Sequence, residues 1–269
     1  MSICAYVTYE DPEGDDDERG PALSAWREAG IEGRVERWDD PAADWASYDA
    51  VVVRSVWDYI ARRQEFLEWA RRVASVTRLM NPCPVLESNT DKTYLRELGL
   101  PTVPTHWSSR DLPDWPEYVV KPTVSGGARD TTRTADRDRA AELAAALEAA
   151  GRTPMVQPYL DMVESEGETS LLYFNGRFSH AVRRVPMLGP DAADGRRARL
   201  RTPAADQVEL AEKVLAAVPH PLLYARIDLV RLPGGEPAVI EVELTEPYLY
   251  LRHEPRAAAN LAAALRELL

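Results

Sequence analysis

Arg226-Ile227-Asp228-Leu229-Val230 and Ile240-Glu241-Val242-Glu243-Leu244, on either side of Pro233-Gly234-Gly235-Glu236, decide how this chain folds. Both runs alternate apolar and polar residues and are rich in β-branched side chains, the pattern of paired, half-buried strands. The Gly-Gly pair suits the positive φ angles of a two-residue hairpin turn. With Gly234 and Gly235 as the turn, Asp228 falls opposite Glu241 and Arg226 opposite Glu243. Residues two apart on a strand share a face, so three carboxylates and a guanidinium are expected on one patch. Like charges facing each other destabilise a ladder unless a cation sits between them. A hard divalent ion with oxygen ligands, Mg2+ or Mn2+ beside a nucleotide phosphate, meets that need. A solvated acidic face with an Arg226–Glu243 ion pair satisfies the same pattern, and the hairpin alone leaves both readings open.

A chain of 269 residues can bury a sizeable core in one large or two to three small domains. Its 45% apolar and 28% charged content is that of a soluble globular protein. No apolar run reaches membrane-spanning length and the N-terminus lacks signal-peptide regions, so a cytoplasmic protein without membrane partners is expected. Cys4 and Cys83 are too few for a disulfide framework or a zinc site and read as buried small apolar residues. A net charge of −12 argues against sequence-independent nucleic-acid binding, but a few local cations suffice for a nucleotide. A homodimer is compatible with the sequence, which does not fix the oligomeric state.

The first third alternates strand and helix: strands at 3–8, 31–38 and 51–53, helices ending near Gly30 and spanning 62–76. No G-x-G-x-x-G follows the first strand, so a dinucleotide fold has little support. In open α/β sheets ligands sit beyond the carboxyl ends of strands. Two loops qualify: Asp15-Asp16-Asp17, which reads as solvated, and Arg54 to Tyr59, where Arg54, Trp57, Asp58 and Tyr59 are expected to face a substrate. A helix is expected from Asn89 or Thr90 to Gly99. Next come strand 118–123, a glycine loop with Ser125, Gly126 and Gly127, strand 131–134, helix 136–150 and strand 155–160. Asn175-Gly176 signals a type I′ hairpin that would place Arg183 opposite Glu168. Residues 183–204 read as a mobile loop able to close over a reaction and exclude water. A helix near 206–218, the carboxylate hairpin and an Ala/Leu helix follow. His106, His180, His220 and His253 show no metal-ligand spacing.

Several segments stand in an informative order: Asp91-Lys92, Val119-Val120-Lys121-Pro122 with Ser125-Gly126-Gly127, Met155 to Leu160, Gly167-Glu168, and the Asp228 and Glu241 strands. Together they resemble the ATP-grasp superfamily over nearly the whole chain. Within it the chain is similar to glutathione-synthetase-like carboxylate-amine ligases. Arg54, Trp57-Asp58-Tyr59, Asn81-Pro82 and Asp91 to Leu95 bring it closest to the cycloserine ring-closing ligase and related amino-acid ligases. The fold so implied is α/β and α+β: an open α/β N-terminal domain (1–88), a central ATP-grasp subdomain (89–160) and a C-terminal subdomain with the metal site (161–269).

The resemblance implies ATP and Mg2+ (or Mn2+) as cofactors and small amino acids as substrates. Lys92 and Lys121, in a chain where lysine is scarce, would meet the α- and β-phosphates, and the Ser125 loop would approach phosphate through backbone N–H groups. Gln157, Pro158, Tyr159 and Leu160 would hold the adenine, and Glu164 the ribose. Asp228, Glu241 and Glu243 would hold the metal, with Glu243 standing where most of the family has Asn. Arg226, Arg183 and Arg184 would stabilise the phosphoryl group and acyl phosphate as catalytic cations. The implied reaction joins a carboxylate to an amine in specialised metabolism, with a γ-glutamyl or similar dipeptide taken first. Ring closure of the cycloserine type, modification of a protein terminus, and ATP binding without turnover are the alternatives.

Overall fold

The structure is a computed structural model that describes residues 1–10, 16–185, 188 and 197–269. β1 (Ser2–Thr8), β2 (Ile31–Arg37), β3 (Ala50–Ser55) and β4 (Leu79–Met80) form a parallel sheet in the order β2-β1-β3-β4. Both faces are covered, as parallel sheets require. On one face Cys4 and Tyr6 pack with Trp26 of α1 (Arg19–Glu28) and with Leu261 and Leu265 of α7 (Ala257–Leu268). On the other, Ala5, Val7 and Val53 meet Phe66, Trp69 and Val73 of α2 (Arg63–Ala74). Cys4 and Cys83 are buried, free thiols.

The expected helix at 89–99 is replaced by α3 (Cys83–Asn89) and a 3₁₀ turn at Lys92–Arg96, capped by the Asp91 carboxylate on the Thr93 N–H (3.0 Å). The break frees two side chains to bind the exposed edge of a later strand, β12 (Pro237–Glu243). Asn89 donates to Val242 O (2.7 Å) and accepts from Leu244 N (2.7 Å). The Tyr94 hydroxyl donates to Val242 O (2.9 Å) and accepts from Val242 N (2.8 Å). The edge strand that carries Glu241 and Glu243 thus has backbone groups on its open side satisfied.

β5 (Tyr118–Pro122), β6 (Thr132–Thr134) and β7 (Pro154–Pro158) form an antiparallel sheet, order β6-β5-β7, backed by α4 (Arg137–Ala149). Asp136 caps α4 by accepting from the N–H groups of Asp138 and Arg139. α5 (Met162–Ser165) leads to the third sheet, with order β10-β9-β8-β11-β12, where β8 is Glu168–Phe174, β9 Arg177–Arg184, β10 Ala198–Leu200 and β11 Tyr224–Arg231. α6 (Ala205–Ala216) covers one face of this sheet through Leu210, Ala211 and Val214. Among the described residues no helix is long and apolar enough to cross a membrane.

Two hairpins differ instructively from expectation. Asn175 (φ 47°) and Gly176 (φ 71°) both take the left-handed angles of the expected turn. However, the register shifts between Leu172 and Tyr173, so Arg184, not Arg183, faces Glu168. In the carboxylate hairpin Gly234-Gly235 is not a two-residue turn. Leu232 and Glu236 close a three-residue loop with Gly235 at φ 89°, which shifts the outer pairs by one. A bulge at Ile240 then restores the pairing of Asp228 with Glu241 and Arg226 with Glu243. Part of the expected loop at 183–204 forms β10, antiparallel to β9, while residues 186, 187 and 189–196 lie outside the described residues.

Candidate active site

The three sheets meet around a cavity of about 460 Å³, within the range of small-molecule sites. The third sheet presents Arg184, Arg226, Asp228 and Ser170 on one face, because alternate residues of β8, β9 and β11 point the same way. Asp228 has no solvent exposure. Arg184 lies 3.1 Å and Arg226 3.0 Å from its carboxylate, and Arg226 also pairs with Glu243, Arg184 with Glu168. Burial alone would raise the Asp228 pKa, but the two guanidinium groups outweigh it and the pKa is lowered.

Oxygens of Asp228, Glu241 and Glu243 all lie within 4.8 Å of one another. This donor set fits a hard divalent cation: three crowded carboxylates, Asp228 buried and Glu241 and Glu243 half-buried on the cavity wall. The crowding is visible in Glu243, whose carboxyl is pushed up to about 8 by burial and by Glu241 and Asp228, against the pull of Arg226. Bound Mg2+ would supply charge neutralisation at phosphate oxygens.

Lys92 and Lys121 converge on the same cavity from separate segments. Lys92 Nζ lies 3.0 Å from Glu241 and donates to Ser125 O at 2.5 Å, which ties it to the glycine loop. Burial disfavours its charge, yet Glu241 prevails and its pKa is raised. Lys121 differs: among the described residues it has no ion pair, and burial lowers its pKa. A half-buried ammonium with no ion pair among the described residues, facing a cavity, is poised for a polyanion. Lys121→Met is expected to raise the KM for ATP by about 10- to 100-fold, the worth of a charge-assisted hydrogen bond. It should leave the melting temperature unchanged or higher, since a strained charge is lost. Lys213→Met, on an exposed α6 pair with Glu209, is the control, and equal ATP saturation curves for the two variants would refute the role of Lys121.

Gln157, Pro158, Tyr159 and Leu160 line the same cavity, beside the apolar Val103, Val119, Val163 and Ile240. The Tyr159 N–H is committed to Glu117 O (3.0 Å) and is not free for a base edge. Ser125, Gly126 and Gly127 line the cavity too, with Gly127 at φ 59°.

Other expected residues are placed elsewhere. Arg183 turns away and donates to the carbonyls of Glu166 (2.6 Å) and Ser165 (3.0 Å), because the β8–β9 shift puts Arg184 on the cavity face instead. Glu164 is outside the cavity lining: the short α5 folds it back onto Tyr159 OH (2.9 Å) and Arg133 (3.1 Å). Trp57 lines the cavity, whereas Asp58 is held outside it by the Trp38 indole (2.9 Å) and Arg62 (3.4 Å). Arg54 is buried behind the wall, 3.1 Å from Glu18, and donates to Pro247 O (2.9 Å). Tyr59 is also buried, beside Glu246. Asp16 is buried rather than solvated, accepting from Tyr6 OH (2.7 Å) and Ser55 Oγ (2.6 Å), while Asp15 lies outside the described residues. Sequence reasoning missed Glu246, Tyr248 and Tyr250 as cavity residues. The E-x-E-x-x-E spacing of Glu241, Glu243 and Glu246 was the available signal.

Known proteins match this chain throughout. Residues 4–81 match the family described as D-cycloserine synthetase DcsG, N-terminal domain. The cycloserine biosynthesis protein DcsG of Streptomyces lavendulae is 38% identical over 297 aligned positions, covering 99% of each chain. The crystal structure of D-cycloserine synthetase DcsG superposes with a TM-score of 0.91 at 36% identity, again over 99% of both chains. The ATP-grasp ligase PsnB, solved with a minimal precursor, Mg and ADP, shares the fold at a TM-score of 0.67 and 18% identity, over 98% of this chain and 96% of its own. The chain therefore belongs to the D-cycloserine synthetase DcsG family of the ATP-grasp superfamily, enzymes that use ATP and Mg2+ to form carbon–nitrogen bonds.

Proposed function

We propose that this protein closes a ring within one amino acid, joining its carboxylate to a nitrogen on its own side chain at the expense of ATP. The observation that carries this reading is the match to DcsG over 99% of both chains, combined with a carboxylate cluster that fits a cation in a cavity also lined by Lys121. It takes precedence over the joining of two separate amino acids, the first expectation from sequence, because the relative of that length and identity acts in cycloserine biosynthesis.

In the first step a carboxylate oxygen of the substrate attacks the γ-phosphorus of ATP, the bond to the β-phosphate oxygen breaks, and ADP leaves. Lys121 and Lys92 would hold the phosphates, and Asp228, Glu241 and Glu243 would hold Mg2+, which supplies charge neutralisation when bound. Arg226 and Arg184, fixed by Asp228 and Glu168, face the charge that develops on the transferred group. In the second step the side-chain nitrogen attacks the acyl carbon, phosphate departs, and the nitrogen loses its proton. As working units we propose 1–88 for the substrate side, 89–160 for the nucleotide and 161–269 for the metal; each contains one of the three sheets.

The test is ADP release with ATP and Mg2+ in the presence of O-ureidoserine alone, single proteinogenic amino acids, and pairs that include glutamate, with products identified by mass. Turnover with O-ureidoserine as sole amino acid and a cyclised product is expected. A requirement for two amino acids, with a product one amide bond heavier, would overturn ring closure in favour of intermolecular ligation.

A further inference from the structure

We propose that Glu246 anchors the α-ammonium group of the amino-acid substrate, an assignment that rests on the amino-acid ligase reading above. The other carboxylates of the site each have a cation: Glu168 has Arg184, Glu241 has Lys92, Glu243 has Arg226, and Asp228 has both arginines. Glu246 lines the same cavity, and among the described residues it has no ion pair. Its charged neighbours are Lys92, already committed to Glu241 and Ser125, and Glu241, which repels it. The uncharged Tyr59 hydroxyl is the hydrogen-bonding group beside it. Glu246 is half-buried and lines the cavity, and a carboxylate partly withdrawn from water without a counter-ion is costly.

A metal ion is not the natural partner, because the set of mutually close carboxylate oxygens comprises Asp228, Glu241 and Glu243 and leaves Glu246 out. The surroundings suit an organic cation. Tyr9 and Trp57 (ring centroids 6.1 Å apart) and Tyr248 and Tyr250 (4.9 Å) line the cavity, and aromatic faces attract ammonium groups. Arg184 and Arg226 lie in the same cavity, so a zwitterion can place its carboxylate at the arginines while its ammonium meets Glu246.

The segment that carries Glu246 is irregular, and its conformation is imposed from behind by the N-terminal sheet. Glu18 accepts from the N–H groups of Leu249 and Leu251 (2.8 Å each). Arg54, paired with Glu18, donates to Pro247 O (2.9 Å), and Tyr248 OH donates to Asp17 (2.8 Å). Arg54 and Glu18 are therefore positioning residues for the Glu246 segment.

The test compares wild type, Glu246→Gln and Glu246→Asp with O-ureidoserine and with its analogue lacking the α-amino group. For Glu246→Gln, kcat/KM for O-ureidoserine should fall by about 10²- to 10³-fold, mainly through KM, as expected when a desolvated charge loses its partner. The KM for ATP should hold, the analogue should be used equally by wild type and variant, and Glu246→Asp should recover part of the preference for the amino compound. An equal loss on both substrates, or no loss on either, would overturn the anchor. If wild type does not close the ring, the ligase reading falls by itself. Calorimetric binding of O-ureidoserine to protein loaded with a non-hydrolysable ATP analogue then decides the anchor: binding lost in Glu246→Gln upholds it, while unchanged binding, or none to wild type, overturns it.

Discussion

Glu241→Gln should reduce ADP release by about 10³-fold while leaving the protein folded, because the change removes one anionic oxygen from the carboxylate cluster proposed to hold the metal and nothing from the core. Glu241 sits on an edge strand whose backbone is clamped independently by Asn89 and Tyr94, so the strand has no reason to leave. Its partner Lys92 keeps the Ser125 carbonyl as an acceptor and is not stranded. The isosteric amide should also raise the Mg2+ concentration needed for half-maximal activity. Unchanged ATP consumption at saturating Mg2+ would sink the metal assignment, whereas loss of folding would show that the cluster is structural instead.

Gly167→Ala is expected to be severe for a different reason. Gly167 has φ 74°, and a Cβ there would lie 2.6 Å from the Arg184 carbonyl oxygen, a backbone atom that cannot rotate aside. The left-handed conformation costs an alanine about 1 kcal/mol and the forced displacement about 1–3 kcal/mol more. At about 2–4 °C per kcal/mol for a chain of this size, a fall in melting temperature of roughly 5–15 °C follows. Displacing Arg184 would also misplace the guanidinium that pairs with Asp228, and a shift of about 1 Å at such a group costs on the order of 10²-fold in kcat. Gly151→Ala provides the comparison: the same left-handed angle, φ 71°, with nothing within 4 Å of the added carbon. If both variants lost the same stability and both kept kcat, the close approach to Arg184 would have no functional weight.

Much of the site was legible in the sequence because its chemistry lies on regular strands, where period-two alternation fixes which side chains share a face. Asp228, Glu241 and Glu243 could be grouped that way, and Lys92 and Lys121 by their place in the order of segments. Even so, the Asp228–Glu241 register came out right through cancelling effects: the turn is one residue longer than the Gly-Gly pair suggests, and Ile240 bulges to compensate. The β8–β9 hairpin has a shift with no such compensation, so Arg183 was given the place of Arg184. Bulges of this kind depend on packing and twist, and alternation does not reveal them. Arg54 was out of reach for another reason. Its partner Glu18 is far away in sequence, and only the folded sheet shows that the pair grips the segment after β12 instead of a ligand. Glu164 was placed by family spacing, and the turn of α5 sets it outside the cavity lining, on Tyr159 and Arg133.

The seating of α7 against α1 and the first sheet carries a consequence for how the chain is made. On a ribosome, β1 to β4 emerge early, yet the flank around Cys4 and Tyr6, covered only in part by Trp26 of α1, is not closed until residues 257–268 have been synthesised. Throughout that interval the nascent chain exposes an apolar surface that can attract chaperones or neighbouring chains. Truncations that spare every active-site residue but remove this helix should therefore give insoluble protein, because the first sheet synthesised is completed by a helix from the far end of the chain.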